Sequence, residues 1–133
     1  ISKADSDYCY QRVNELVAYQ SKKGLKVFRS GHSVDVVAPS VSKRSIVRQI
    51  VKEIGDVELK CLCVGDRGRW PGNDSELLME PYSISVDEVS SSLDTCWNLA
   101  SPGLSNVDAF LELLQAIKIK ESHFILDGLE VTK

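Results

Sequence analysis

Residues 61 to 78, CLCVGDRGRWPGNDSELL, place two aspartates, Asp66 and Asp74, in a stretch that also holds Gly65, Gly68 and Gly72. Carboxylates are hard oxygen ligands, and Mg2+ typically takes one or two of them and completes its shell with water and phosphate oxygens. The pair therefore suits a Mg2+ site. Between the aspartates stand Arg67, Arg69 and Trp70; guanidinium groups grip anions through paired N–H donors, and an indole offers a face to a cation or a partner. Pro71-Gly72-Asn73-Asp74 also reads as a turn in which Asn and Asp bond their own backbone, so spacing alone leaves both readings open. Farther upstream, Lys43 stands in the first turn of a helical pattern, where its charge meets the positive end of the helix dipole. It is either a solvated lysine or a cation that invites an anionic partner.

These residues need elements to hold them. LKCLCVGD, residues 59 to 66, is apolar at nearly every position, as expected of a parallel strand covered on both faces. It stops at Gly65-Asp66, so Asp66 stands at a strand's carboxyl end, where open α/β sheets form their ligand crevice. Before it, Ser42 caps a helix with Ile46, Val47, Ile50, Val51 and Ile54 at helical spacing and Gly55 as its stop. Residues 8 to 22 form a first helix, with Cys9, Val13, Leu16 and Val17 as its apolar positions and Gly24 beyond its end. Asp5, Ser6 and Asp7 are read as its N-cap and first turn. LKVFRS and SVDVVAP, separated by Gly31-His32, predict a hairpin. After the loop, SELLME predicts a short helix, YSISV a strand, TCWNLA a short extended run, and SNVDAFLELLQAI a helix burying Val107, Phe110, Leu111, Leu114 and Ile117. The tail ESHFILDGLEVTK adds a short strand. Helix and strand alternate from residue 43 onward, which predicts an α/β fold with a mainly parallel sheet and flanking helices.

The stretch VGDRGRWPGNDSELL resembles the last signature of the haloacid dehalogenase-like (HAD) phosphohydrolases, G-D-x-x-N-D followed by a short leucine-bearing helix. Gly65-Asp66 and Asn73-Asp74 match its ends, and RWPG stands between them as a four-residue insertion. VSKRSIVRQIV is similar to the family's preceding signature, a lysine at the start of an amphipathic helix, and Lys43 matches that lysine. The likeness spans nearly the whole chain, with a possible leaning to the sucrose-phosphatase or Cof-like branch. It implies that residues 1–40 are an α-β-β segment ending a cap, and that residues 41–133 are the second half of a Rossmann-like core, the two forming one compact unit. It also implies Mg2+-dependent hydrolysis of a phosphomonoester, including sugar phosphates. In that chemistry an aspartate attacks phosphorus while Mg2+ and a lysine neutralise the transferring group. Asp66 would be a metal ligand, Asp74 a second ligand or the orienting partner of Lys43, and Asn73 a donor to water or substrate. The family's nucleophile strand, apolar and ending in D-x-D, has no counterpart: Asp5-x-Asp7 follows ISKA, which is no buried strand. The expectation is a chain inactive or weak by itself, with an unpaired inner sheet edge that a second copy or a partner strand would relieve. The alternative is a binding or interaction module that keeps the fold without turnover, with Arg67, Arg69 and Trp70 as its contacts.

Composition narrows the classes further. The chain has 133 residues, 43% hydrophobic and 26% charged, with a net charge of -3, and this balance gives no basic footprint for nucleic acid or anionic membranes. No apolar run reaches bilayer length and no signal-peptide pattern opens the sequence, which predicts an intracellular protein. Cys9, Cys61, Cys63 and Cys96 lack C-x-x-C spacing and are read as buried free thiols. His32 and His123 have no evident partner in the sequence, and Asn73-Asp74-Ser75 matches a glycosylation sequon by chance.

Overall fold

The structure, a computed structural model, describes residues 3–20, 24–55, 60–121 and 123–128. It is a mixed α/β fold with three helices and three two-stranded sheets among the described residues. α1 spans Lys3–Tyr19 and leads into a hairpin of β1 (Lys26–Arg29) and β2 (Val34–Val37), paired antiparallel with Val27 opposite Val36. The expected hairpin is therefore present. Its turn is tied by Ser30, whose backbone N–H donates to the Ser33 carbonyl at 2.9 Å and whose hydroxyl accepts from the His32 and Ser33 amides at 3.1 and 3.0 Å.

The first helix starts five residues before the expected residue 8, so Asp5, Ser6 and Asp7 lie inside it rather than capping it. Ser6 is buried and donates to the Ser30 carbonyl at 3.2 Å. Half of the expected apolar stripe faces inward: Val13 and Val17 are half-buried on the side of Ser6 and Tyr10, whereas Cys9 and Leu16 are exposed. Residues 21–23, which include the expected end of this helix, lie outside the described residues.

α2 (Lys43–Ile54) has the expected caps. The Ser42 hydroxyl accepts from the Arg44 amide, and Gly55 ends the helix at φ 73°, a left-handed conformation that glycine adopts without a Cβ penalty. β3 (Cys63–Arg67) pairs in parallel with β4 (Ser83–Glu88), Val64 opposite Ile84. The expected mainly parallel sheet is reduced to this pair, extended by an isolated parallel bridge between Ile84 and Trp97. The other two sheets are antiparallel hairpins. SELLME forms a single 3-10 turn, Leu77–Met79, with Leu78 fully buried.

α3 (Asn106–Ala116) packs Ala109 and Leu113 against Ile84 and Val86 of β4, and this quartet is the centre of the core. Here the expected stripe is displaced. Val107, Phe110, Leu111 and Leu114 are exposed, and Ala109, Leu113 and Ala116 are buried in their place. Ile117 opens β5 (Ile117–Lys120), which turns back as β6 (His123–Leu126); only β6 was expected. Cys63 and Cys96 are buried, Cys61 is half-buried, and Cys9 is exposed, contrary to the uniform burial expected of the thiols; all four are free. Among the described residues no helix is long and apolar enough to cross a membrane.

Candidate functional site

The site begins with Gly65. It is the middle residue of β3, and beyond it the register with β4 slips, Gly65 pairing with Ser85 but Arg67 with Glu88. The extra residue on β4 is a bulge, a device that re-aims neighbouring groups. A Cβ at Gly65 would lie 2.7 Å from the Asp74 carboxylate. Only glycine leaves room for the later aspartate to fold back over the strand end.

Asp74 is buried and both its oxygens are engaged. Oδ1 accepts from Lys43 Nζ, and Oδ2 accepts from the Asp66 amide at 3.0 Å and from the Arg67 amide at 3.4 Å. Burial alone would push its carboxyl up, but the hydrogen bonds from the Lys43 ammonium and the Asp66 amide, with the Lys43 charge, outweigh it and hold the carboxyl below the usual range. Asp66 is shifted the other way. Burial, then its hydrogen bond to Asp74 and the negative charge of Asp74, push its carboxyl up against the pull of Arg67. Two neighbouring carboxylates driven apart in acidity are a recurrent mark of chemical sites.

Lys43, Asp66 and Asp74 border an open cleft of about 840 Å³, together with Val64, Leu77 and Val86 on its apolar side. Lys43 is the first residue of α2 and Asn106 the first of α3, so two positive helix ends adjoin the cleft. Gly31, His32, Arg67, Val107 and Phe110 complete its lining.

The expected residues divide into three groups. Lys43, Asp66 and Asp74 come together. Arg67 also lines the cleft, but it already faces Glu88 at 2.9 Å, Asp66 at 3.5 Å and Asp87 at 3.6 Å, so an anion would have to compete with three carboxylates. Asn73 and Arg69 do not line it. Asn73 is spent on backbone pairing, its amide donating to the Arg29 carbonyl at 3.1 Å, and its side-chain oxygen is buried with no hydrogen-bond partner among the described residues. Arg69 is exposed on the loop. His32 and Asn106 reach the cleft without any motif of their own. Asn106 follows a cap residue, Ser105, and that position was the available signal; His32 depends on the hairpin docking beside the loop.

Among the described residues no three His, Cys, Asp or Glu side chains are grouped to hold a metal. A metal here would rest on Asp66 and Asp74, and two carboxylates completed by water and phosphate oxygens match the preference of Mg2+. Asp66, with 42% of its side chain exposed, has room for an ion; Asp74, at 6% and doubly engaged, is better placed to orient Lys43. No family model matches the chain, and no curated protein or solved structure is significantly similar to it.

Proposed function

We propose that the chain carries the lysine-and-carboxylate half of a HAD-like, Mg2+-dependent phosphomonoesterase site, with sugar phosphates among its substrates. In this reading β3, β4, α2 and α3 belong to the second half of a Rossmann-like core, and α1-β1-β2 is the end of a cap. The observation that carries it is the meeting of Lys43 and Asp74, 31 positions apart, beside Asp66 at a strand's carboxyl end. Three elements deliver a cation and two carboxylates to one cleft. A phosphate bound there would have its charge met by the Lys43 ammonium and by the amide ends of α2 and α3. Asp74 would hold that ammonium in place, and Asp66 would hold the metal. Bound Mg2+ would supply Lewis-acid stabilisation of the phosphoryl oxygens.

The described carboxylates bordering the cleft are Asp66 and Asp74, so the attacking aspartate would come from outside the described residues. Asp5 is exposed on α1 and Asp7 pairs with Arg29, and neither lines the cleft. That observation favours a second reading, a module that binds Mg2+ and phosphate without turnover.

Titration of 15N-labelled protein with MgCl2 and inorganic phosphate, alongside an aryl phosphate assay, tests both. Mg2+-dependent shifts at residues 64 to 75 that vanish in Asp66→Asn support the site. Mg2+-dependent turnover, also lost in Asp66→Asn, selects the enzyme; shifts without turnover select the binding module. A spectrum unmoved by either titrant overturns both.

A further inference from the structure

The four-residue RWPG insertion is built against the hairpin. Gly72 bridges Arg29 in parallel, the Arg29 amide donates to the Pro71 carbonyl at 2.8 Å, and the Asn73 amide donates to the Arg29 carbonyl at 3.1 Å. The loop thus adds a rung to the free edge of β1. The Trp70 ring meets the buried Phe28 ring edge-on at 5.4 Å and 71°, a favoured aromatic geometry that clamps the rung from the side. Gly72 is required for the loop to fold back on its own start, because a Cβ there would lie 2.2 Å from the Arg67 carbonyl oxygen and 2.7 Å from that of Arg69.

The hairpin holds the chain again just past the aspartate, where Lys26 Nζ grips both Glu76 oxygens at 2.8 and 3.0 Å. Asp74 is therefore bracketed by hairpin contacts at residues 73 and 76. Its own carbonyl accepts from the amide of Leu78, a side chain with no exposure, so the segment has little freedom left.

We infer that Trp70 is a positioning residue for the cleft: by locking the 69–72 loop onto β1 it sets where residue 74 begins, and so holds the Asp74 carboxylate between Lys43 and the Asp66 amide. The hairpin and the strand-end loop then move as one piece. A site loosened by about 1 Å loses much of its function, which gives such a brace its value. This deepens the reading above and rests on it only for the ligand measurements.

The experiment compares wild type, Trp70→Ala and Trp70→Phe by amide hydrogen exchange and by affinity for inorganic phosphate in MgCl2. Trp70 is 58% exposed, so its truncation spares the core. The Asp66 amide, bonded to Asp74 Oδ2, reports where the carboxylate sits, and the Ser85 amide, bonded to the Trp97 carbonyl, reports global opening. In Trp70→Ala, exchange at Arg29, Asn73 and Asp66 should quicken by about threefold to tenfold, the loss expected of one aromatic pair. Ser85 should stay unchanged, phosphate affinity should fall by a similar factor, and Trp70→Phe should restore both. Faster exchange at Arg29 and Asn73 with Asp66 and phosphate affinity unmoved would overturn the inference. A wild type that binds no phosphate sinks the proposed function, and the exchange at Asp66 still decides the positioning role.

Discussion

Lys43 and Asp74 meet through a direct ion pair although one opens a helix and the other sits in a loop beyond the next strand. Asp74 is almost wholly buried, while nearly half of the Lys43 side chain is open to solvent. Water therefore screens the lysine more than the carboxylate, and the pair is worth less than a fully buried one. A double-mutant cycle of Lys43→Met and Asp74→Asn, followed by urea unfolding, should give a coupling of about 1 kcal/mol. Additive single changes would show that the contact contributes nothing.

The two carboxylates pull stability in opposite directions with pH. Asp74 has a folded pKa below its unfolded value of about 3.9, so its contribution is complete above that pH and is lost as pH falls through the lower folded value. Asp66 is raised, so it withdraws stability as pH climbs from about 3.9 through its higher folded value. With 42% of its side chain exposed the effect is screened. Asp66→Asn should therefore be more stable than wild type at pH 7, by a few tenths to about 1 kcal/mol, while losing any Mg2+ response. The gain should shrink as the pH is lowered toward 4. Equal unfolding midpoints at both pH values would contradict this account of Asp66.

Gly65 and Gly55 separate crowding from backbone strain. At Gly55, φ is 73° and nothing lies within 4 Å of a built Cβ, so Gly55→Ala carries only the left-handed penalty, about 1 kcal/mol. At Gly65 a Cβ would strike a carboxylate already held by Lys43 and two amides. Gly65→Ala should cost more than about 2 kcal/mol and displace Asp74, seen as a shifted Asp66 amide. Equal costs at the two glycines would mean that Asp74 moves aside freely.

Local signals were legible where the backbone itself writes them. Ser42 and Gly55 bounded α2 because capping acts within one turn, and Gly31-His32 marked the hairpin between two short apolar runs. Asp66 and Asp74 were nominated as hard oxygen ligands beside a turn reading that spacing left equally open, and Lys43 through the resemblance of its helix start to a phosphohydrolase signature. Burial was not legible. In α3 the long apolar residues suggested the core face, yet the helix turns Ala109 and Leu113 onto β4 while Val107 and Phe110 line the cleft. The alternation in Ile117-Lys118-Ile119-Lys120 has a strand's period of two, and the helical reading absorbed its first residue. Nor could spacing show that Pro71 and Asn73 pair with Arg29, since that contact forms between segments some 40 positions apart in the chain.

The face of α2 gives the last prediction. Ile46, Ile50 and Ile54 have the spacing of a core stripe, yet they are 58%, 44% and 60% exposed, and α2 buries no residue among those described. Removing an apolar side chain that is only about half covered forfeits only part of its transfer free energy, and serine lowers helix propensity by a few tenths of a kcal/mol. Ile46→Ser and Ile50→Ser should each cost about 0.5 to 2 kcal/mol of unfolding free energy. Leu78→Ala, at a fully buried position, should cost about 2 to 5 kcal/mol by leaving a cavity. Chemical denaturation of the three variants measures the contrast. A cost at Ile46 or Ile50 approaching that at Leu78 would mean that something covers this stripe in solution, and a concentration dependence of that cost would identify the cover as a second copy of the chain.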